Sequence, residues 1–501
     1  MSGMASETLV LTALALPALG ALGIALTGRN PNLREAVTLT TAGANFVVVM
    51  TLLTRVLDGE RPSAGGWQIF GGLEIAFLVE PLGMLFASIA ATLWIVNSIY
   101  SIGYMRGNNE PRQTPFYVCF AIAISSAIGV AFSGNLLTLF LFYEVLTVST
   151  YPLVTHKGND EAKAKGRIYL ILLLATSMML LLPAIVWTGA AAGTLDFAPG
   201  GILATAGLST GALTLLLGLY IFGIGKAAVM PVHYWLPAAM VAPTPVSALL
   251  HAVAVVKAGV FTVVKVVIYI FGIDLLADSG ANQILIYVAT FTLVLASLIA
   301  MTRDNLKSRL AYSTVSQLAY VVVGALLATG YGIIGAGLHI AMHAIGKITL
   351  FFCAGAIYTA AHKTEVSQLA GLGRKMPFTF IAFLIGALSI IGLPPLAGMW
   401  SKWYLASGAL DAGQLIVIAA LMLSSLLNVA YLLPIPLRAF FGTRPPDDGQ
   451  SFEARSDAPP EAVEEAPLPC LIAIGITATA CVVFFFFPDP IFDLLSQIPL
   501  R

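Results

Sequence analysis

Charged side chains are scarce in this sequence. Only 10% of its 501 residues are Asp, Glu, Lys or Arg, where a soluble domain carries about 25%. Beside 58% hydrophobic residues, that scarcity excludes a soluble protein, whose core could not absorb so much apolar surface. Neither sign is in excess, with 25 basic and 25 acidic residues, so nothing points to nucleic acid or an acidic partner. Cysteine is equally sparse. Cys119, Cys353, Cys470 and Cys481 all sit in apolar runs without CxxC or Cys/His ligand spacing. They read as packing residues, which excludes a disulfide scaffold and an iron–sulfur or zinc site. There is no HExxH, no carboxylate cluster and no dinucleotide glycine motif. No metal, no cofactor and no redox or hydrolytic chemistry is expected of this chain. The opening "MSGMASETLVLTALALPALGALGIALTG" lacks a basic leader and runs on into further apolar sequence, so it reads as a first span.

What the chain does have is apolar runs of about 20 residues, recurring roughly fourteen times. They fall near 7–27, 35–54, 80–104, 115–133, 135–155, 167–189 and 210–230. The second half continues with 246–271, 283–302, 309–329, 331–359, 377–404, 412–440 and 468–487. The expected fold class is an all-α polytopic membrane protein forming a single membrane domain, 1–501. No soluble domain fits between the spans, and the longest polar stretch, 442–467, reads as a linker before the last helix at 468–487. Connections after odd-numbered spans hold nearly all the loop Lys and Arg, from Arg29 and Arg34 through Lys157 and Arg167 to Arg438, whereas even-numbered ones hold only Arg55 and Arg61. By the positive-inside rule the odd connections face the cytoplasm, and both termini lie on the outer side of the cell membrane.

Five lysines remain inside apolar runs: Lys226, Lys257, Lys265, Lys347 and Lys402. One carboxylate, Glu144, lies deep in a span, and Glu80 opens the third span at an interfacial position. Each such charge costs about 2.5–3.5 kcal/mol at a helix centre, so each needs a reason. Lys265, close to a span end, is equally well read as a snorkelling side chain. With five amines to one deep acid, most cannot be neutralised by an internal partner, and a buried amine without a counter-ion exchanges its proton near neutral pH. His339, His343 and Lys347 follow one another at i, i+4, i+8, which stacks them along one helix face as part of a proton-carrying chain. His233, His251 and Lys265 are further candidates.

Two spans are broken. In "GKAAVMPVHYWLPAAMVAPTPVSALLHA", Pro231, Pro237, Pro243 and Pro245 follow Lys226. In "LSIIGLPPLAGMWSKWYL", Gly392, Pro394, Pro395 and Gly398 precede Lys402. Proline removes a donor and clashes with the preceding turn, and hydrocarbon cannot satisfy the freed backbone groups, so such breaks survive only where protein or a wet cavity covers them. Breaks at matching places in two halves mark inverted-repeat transporters. Spans seven and twelve lie five apart, so spans 4–8 pair with 9–13, as a first repeat at 111–271 and a second at 280–440 after the N-terminal helices of 1–110.

At these residues the chain resembles the antiporter-like subunits of respiratory complex I and of Mrp-type multisubunit sodium/proton antiporters. "RDNLKSRLAYSTVSQLAY", "MHAIGKITLFFCAGAIY", "LAGLGRKMPFT" and "IGLPPLAGMWSKWYL" are similar to further blocks of that family, and the likeness runs from Phe77 to Tyr431. The resemblance implies fourteen helices, two inverted five-helix repeats, discontinuous helices 7 and 12 and a polar axis through the membrane. It implies a relay of Glu144, its partner Lys226, Lys257, His343 with Lys347, and Lys402. Lys402 stands where one complex I subunit has glutamate, and the compact chain is most similar to the D-subunit branch of Mrp antiporters. The function so implied is proton translocation within a larger assembly of membrane subunits and lipids, exchanged for Na+ in an Mrp complex. The rival is the proton-pumping module of a complex I-type quinone reductase or membrane-bound hydrogenase. A third reading, a scaffold whose charges only lock helix packing, leaves the excess of amines unexplained.

Overall fold

The computed structural model describes residues 5–442 and 464–500. All but the ends of the polar stretch 442–467 therefore lie outside the described residues. Elsewhere helix follows composition run by run: α1 (Ser6–Leu26), α2 (Pro31–Leu57), α3 (Pro81–Gly107), α4 (Gln113–Ala131), α5 (Leu136–Val154), α6 (Asp160–Ala192) and α7 (Thr210–Gly223). There follow α8 (Thr244–Phe271), α9 (Gln283–Met301), α10 (Leu306–Leu326) and α11 (Gly330–Ala361). The twelfth run is two helices, α12 (Pro377–Ile391) and α13 (Gly398–Asp411), before α14 (Leu415–Phe441), α15 (Leu468–Phe486) and the short α16 (Asp489–Ser496). Among the described residues eleven helices are long and apolar enough to cross a membrane by themselves. The shorter α7 and α12 are the pieces that end at the two breaks. The only strands among the described residues form an antiparallel hairpin of β1 (Ser63–Phe70) and β2 (Leu73–Leu78), an addition to the expected helices.

Helix starts are set by short polar side chains. Asn30, Asn135, Asn159 and Asn305 each accept backbone N–H bonds in the first turn of α2, α5, α6 and α10, satisfying donors that would otherwise be orphaned at the membrane edge. Burial then sorts the helices. Every residue of the apolar window of α8 is buried, and nearly every one in α11, whereas α1, α2, α14 and α15 leave more than half of theirs open on the outer surface. Lys257, His339, His343 and Lys347 therefore lie on two deeply enclosed helices.

Both expected breaks are present. After Gly223 the chain descends through short turns at Gly225–Ala227, Val232–Tyr234 and Ala239–Val241 before α8 begins. The second break follows Gly392, whose φ of +87° terminates α12, a conformation that costs glycine nothing. Protein groups satisfy the freed backbone. Trp235 Nε1 donates to the Gly225 carbonyl at 2.9 Å and Lys402 Nζ to the Ile391 carbonyl at 2.9 Å, while the Met230 N–H reaches Thr292 Oγ1 at 3.2 Å.

Candidate functional site

The first break carries Lys226 into the protein interior, where the side chain is wholly buried. Its ammonium donates to the Tyr143 carbonyl at 2.9 Å and to Thr147 Oγ1 at 2.6 Å, and lies 3.1 Å from the centre of the Tyr143 ring. A ring face attracts a cation electrostatically, most when both are dry. This closeness depends on Gly259 of α8, where an added Cβ would lie 2.3 Å from the Lys226 carbonyl carbon.

The expected ion pair of Glu144 with Lys226 is not formed. No cation among the described residues lies within 4.0 Å of Glu144, and both its carboxyl oxygens are buried without a hydrogen-bond partner. The reason is helical: consecutive residues diverge by about 100°, so once Tyr143 faces Lys226, Glu144 lies beside that contact, beyond pairing distance but near enough for its charge to act on the ammonium.

At the centre, Lys257 of α8 and His343 of α11 meet with Nζ and Nδ1 at 2.6 Å. The imidazoles of His343 and His339 then stack at 5.8 Å and 14°, as the i, i+4 spacing required. His339 Nδ1 reaches Ser401 Oγ at 2.9 Å, and that hydroxyl donates to the Gly398 carbonyl. Lys347, one turn further along α11, turns away from the histidines to α10, donating to Ser313 Oγ at 2.6 Å and to the Leu310 carbonyl at 3.3 Å. Lys402 folds back over the second break, bonds Ser425 Oγ at 2.9 Å and sits 4.8 Å from the Tyr320 ring centre. Each break thus places its lysine over a tyrosine, Tyr143 on α5 for the first and Tyr320 on α10 for the second.

Lys265 does not snorkel. It is wholly buried and pairs with Glu80 at 3.4 Å, with Ser133 carbonyl at 2.7 Å and the Phe197 ring at 4.4 Å completing its surroundings. Glu80, at the N-terminal end of α3, is likewise buried. The C-terminal end of α8 is covered by the connection between α4 and α5, through Ser133, and by that between α6 and α7, where Ile202 and Leu203 donate to the Tyr269 and Ile270 carbonyls, which hydropathy alone does not reveal. His251 is wholly buried with its ring 4.6 Å from Phe351 and both nitrogens without a partner. His233, in the first break, is half-buried against Tyr312 and makes no hydrogen bond to the central line. Sequence reasoning passed over the hydroxyls that hold the lysines, although their signal was present: Ser313, Ser316 and Tyr320, and Ser424, Asn428 and Tyr431, recur at helical spacing on α10 and α14.

Buried amines, imidazoles and hydroxyls in mutual contact can hold and pass a proton, and none is placed as a nucleophile. The sequence model of the family described as "NADH:quinone oxidoreductase/Mrp antiporter, TM" matches residues 133–428. The chain is 30% identical over 458 residues to NADH-quinone oxidoreductase subunit N of Desulforudis audaxviator, covering 90% of each. It is 32% identical over 398 residues to NAD(P)H-quinone oxidoreductase chain 5 of Synechocystis, of which it spans 56%. In solved structures it resembles a chain of the Mrp complex from Dietzia sp., with a TM-score of 0.85 at 22% identity over 98% of this chain and 96% of that one. A chain of an archaeal membrane-bound sulfane sulfur reductase is similar at a TM-score of 0.84, 23% identity and the same coverage.

Proposed function

The chain belongs to the NADH:quinone oxidoreductase/Mrp antiporter family, and from that premise we propose that it is a proton-translocating subunit of a multisubunit membrane complex. The observation that carries this reading is the buried line Lys257–His343–His339, flanked by Lys226, Lys347 and Lys402, without a carboxylate within pairing distance of any of the four lysines among the described residues. Amines held in this way are stable only if each can shed its proton to a neighbour, and a line of such groups conducts. Lys226 over Tyr143 and Lys402 over Tyr320 close the two ends. Glu144, with both oxygens buried and unpartnered beside Lys226, is, among the described residues, the one carboxylate that acts on this line through its charge.

The finer reading is a subunit of a cation/proton antiporter, with H+ carried here and Na+ exchanged for it; lysine at position 402 supports this branch. Its rival, a quinone-reductase or hydrogenase module, is supported by the 30% identity to a subunit N across 90% of both chains. Purification with all partners separates them, since iron–sulfur proteins in the assembly favour the rival and small membrane subunits alone favour the antiporter. In vesicles containing the whole complex, Lys226→Ala or Glu144→Ala should abolish coupled proton movement while assembly persists. Full proton movement in both variants would refute the shared reading. Cysteines placed at positions 109 and 158 should react with impermeant reagents only from the cytoplasmic side.

A further inference from the structure

Lys347 and Lys402 belong to different helices and do not touch, yet α10 meets both, and α14 bonds Lys402 directly and the Ser313 partner of Lys347 through Tyr431. Between them the α10–α14 seam carries a column of buried hydroxyls in three tiers. In the first, Lys347 Nζ meets Ser313 Oγ at 2.6 Å, the same oxygen lies 2.9 Å from Tyr431 Oη, and Tyr431 bonds Asn428 Oδ1. One turn along, Ser297 of α9 stands 2.8 Å from Ser316 and 3.0 Å from Ser424 in a closed triangle of oxygens. One turn further, Tyr320 Oη lies 3.4 Å from Ser425 Oγ, which receives the Lys402 ammonium at 2.9 Å. Ser297, Ser313, Ser316, Ser424 and Asn428 are each completely buried.

We propose that this seam is the proton-conducting link from Lys347 to Lys402, a role resting on the proton-translocation reading above. The histidine line does not reach Lys402. Ser401, where it ends, is bonded to His339 and the Gly398 carbonyl, and among the described residues it has no hydrogen bond to Lys402. Lys347 likewise has no bond to His343; its hydrogen-bond partners are Ser313 and the Leu310 carbonyl. A proton leaving Lys347 breaks its Nζ–H bond as Ser313 Oγ gains one. Ser313's own hydroxyl proton moves on, and the shift repeats until Ser425 gives a proton to Lys402 Nζ, which accepts it as a neutral amine after shedding its own proton beyond the seam. Successive tiers stand one turn apart, about 5 Å, a gap that a single water bridges. A sodium ion suits the serine triangle poorly, because no carboxylate takes part in it and the ion would keep its full charge in hydrocarbon.

The test uses the whole complex in vesicles, comparing Ser316→Ala/Ser424→Ala with Ser316→Thr/Ser424→Thr and with Lys347→Met. The alanine pair should cut proton flux by about 10²-fold or more, as Lys347→Met does, and the threonine pair should restore it, because only the hydroxyl matters. Tyr431→Phe, which removes a single oxygen, should slow flux in the same direction if the alanine pair fails to assemble. Wild-type flux in the alanine pair, or in Tyr431→Phe, alongside its loss in Lys347→Met, overturns the seam and leaves the lysine relay standing. Loss in both the alanine and threonine pairs makes the seam structural and overturns the proposal too. Retained flux in Lys347→Met sinks the relay itself.

Discussion

Lys257 Nζ and His343 Nδ1 lie 2.6 Å apart on α8 and α11, 86 residues distant in the chain and both closed off from solvent. Two basic nitrogens at that separation share one proton: if the amine is charged the imidazole nitrogen must be bare, and a second charge would repel the first.

This contact fixes the outcome of removing either partner. Lys257→Met and His343→Leu should each lower proton flux by about 10²-fold or more, with no loss of assembly, because each replacement fills the same buried volume with an apolar side chain. Flux measured with a pH-sensitive dye in sealed vesicles checks it; near-normal flux in either variant removes this pair from the pathway.

Gly259 lets α8 press against the first break. In Gly259→Ala the new methyl would sit 2.3 Å from Lys226 carbonyl carbon and 2.4 Å from Ala227 nitrogen, and backbone cannot yield as a side chain end can. The break must move, taking the Lys226 ammonium off Tyr143 and Thr147. Proton flux should fall, and stability should fall by about 1–3 kcal/mol, as is typical of overpacking, which a lower melting temperature would report. Unchanged flux in Gly259→Ala would show that the position of Lys226 is not critical.

Glu80 and Lys265 form a buried pair that the central line does not use. Removing one partner strands the other, so Glu80→Leu or Lys265→Met alone should cost about 3–5 kcal/mol, whereas the double replacement should recover much of it. Thermal unfolding in detergent tests this. Additive losses in the double variant would mean that the two side chains act independently.

In the connections that follow α3 and α5, His156 sits beside Glu110, their Nε2 and Oε2 3.8 Å apart. Burial, aided by Arg112 and Lys157, pushes the imidazole down from 6.5 to about 4. The unfolded chain takes up this proton below about 6.5 while the folded one stays neutral, so stability is full above that pH and declines as the pH falls toward 4. Burial raises the Glu110 carboxyl, which has the opposite sign, because there the folded form binds the proton first. His156→Gln should therefore flatten the acid-side decline and Glu110→Gln should steepen it. Melting curves between pH 4 and 7 that are indifferent to either change would contradict this.

Much of the architecture was legible because its causes are local. Apolar runs dictate helices wherever they occur in hydrocarbon. Prolines at 231, 237, 243 and 245, and at 394 and 395, come clustered with glycines where the helices break, whereas the single prolines Pro17 and Pro152 stay inside α1 and α5. The stacking of His339 on His343 needs only one helix to be straight. Glu144 and Lys265 were misread for a common reason. Each assignment depended on what stands opposite: Tyr143 taking the place toward Lys226, and Glu80 with two connecting loops standing over the end of α8.

The sequence by itself determined a polytopic helical chain with two breaks, a lysine at each, and more amines than acids inside the membrane, because hydropathy, proline geometry and helical period act over a few residues. Only the tertiary structure decided who meets whom: Lys257 with His343, Lys226 with Tyr143, Lys265 with Glu80, Lys347 with Ser313. Those partners come from helices far apart in the chain, and which faces they turn to one another is set by packing, where a single glycine such as Gly259 governs the approach.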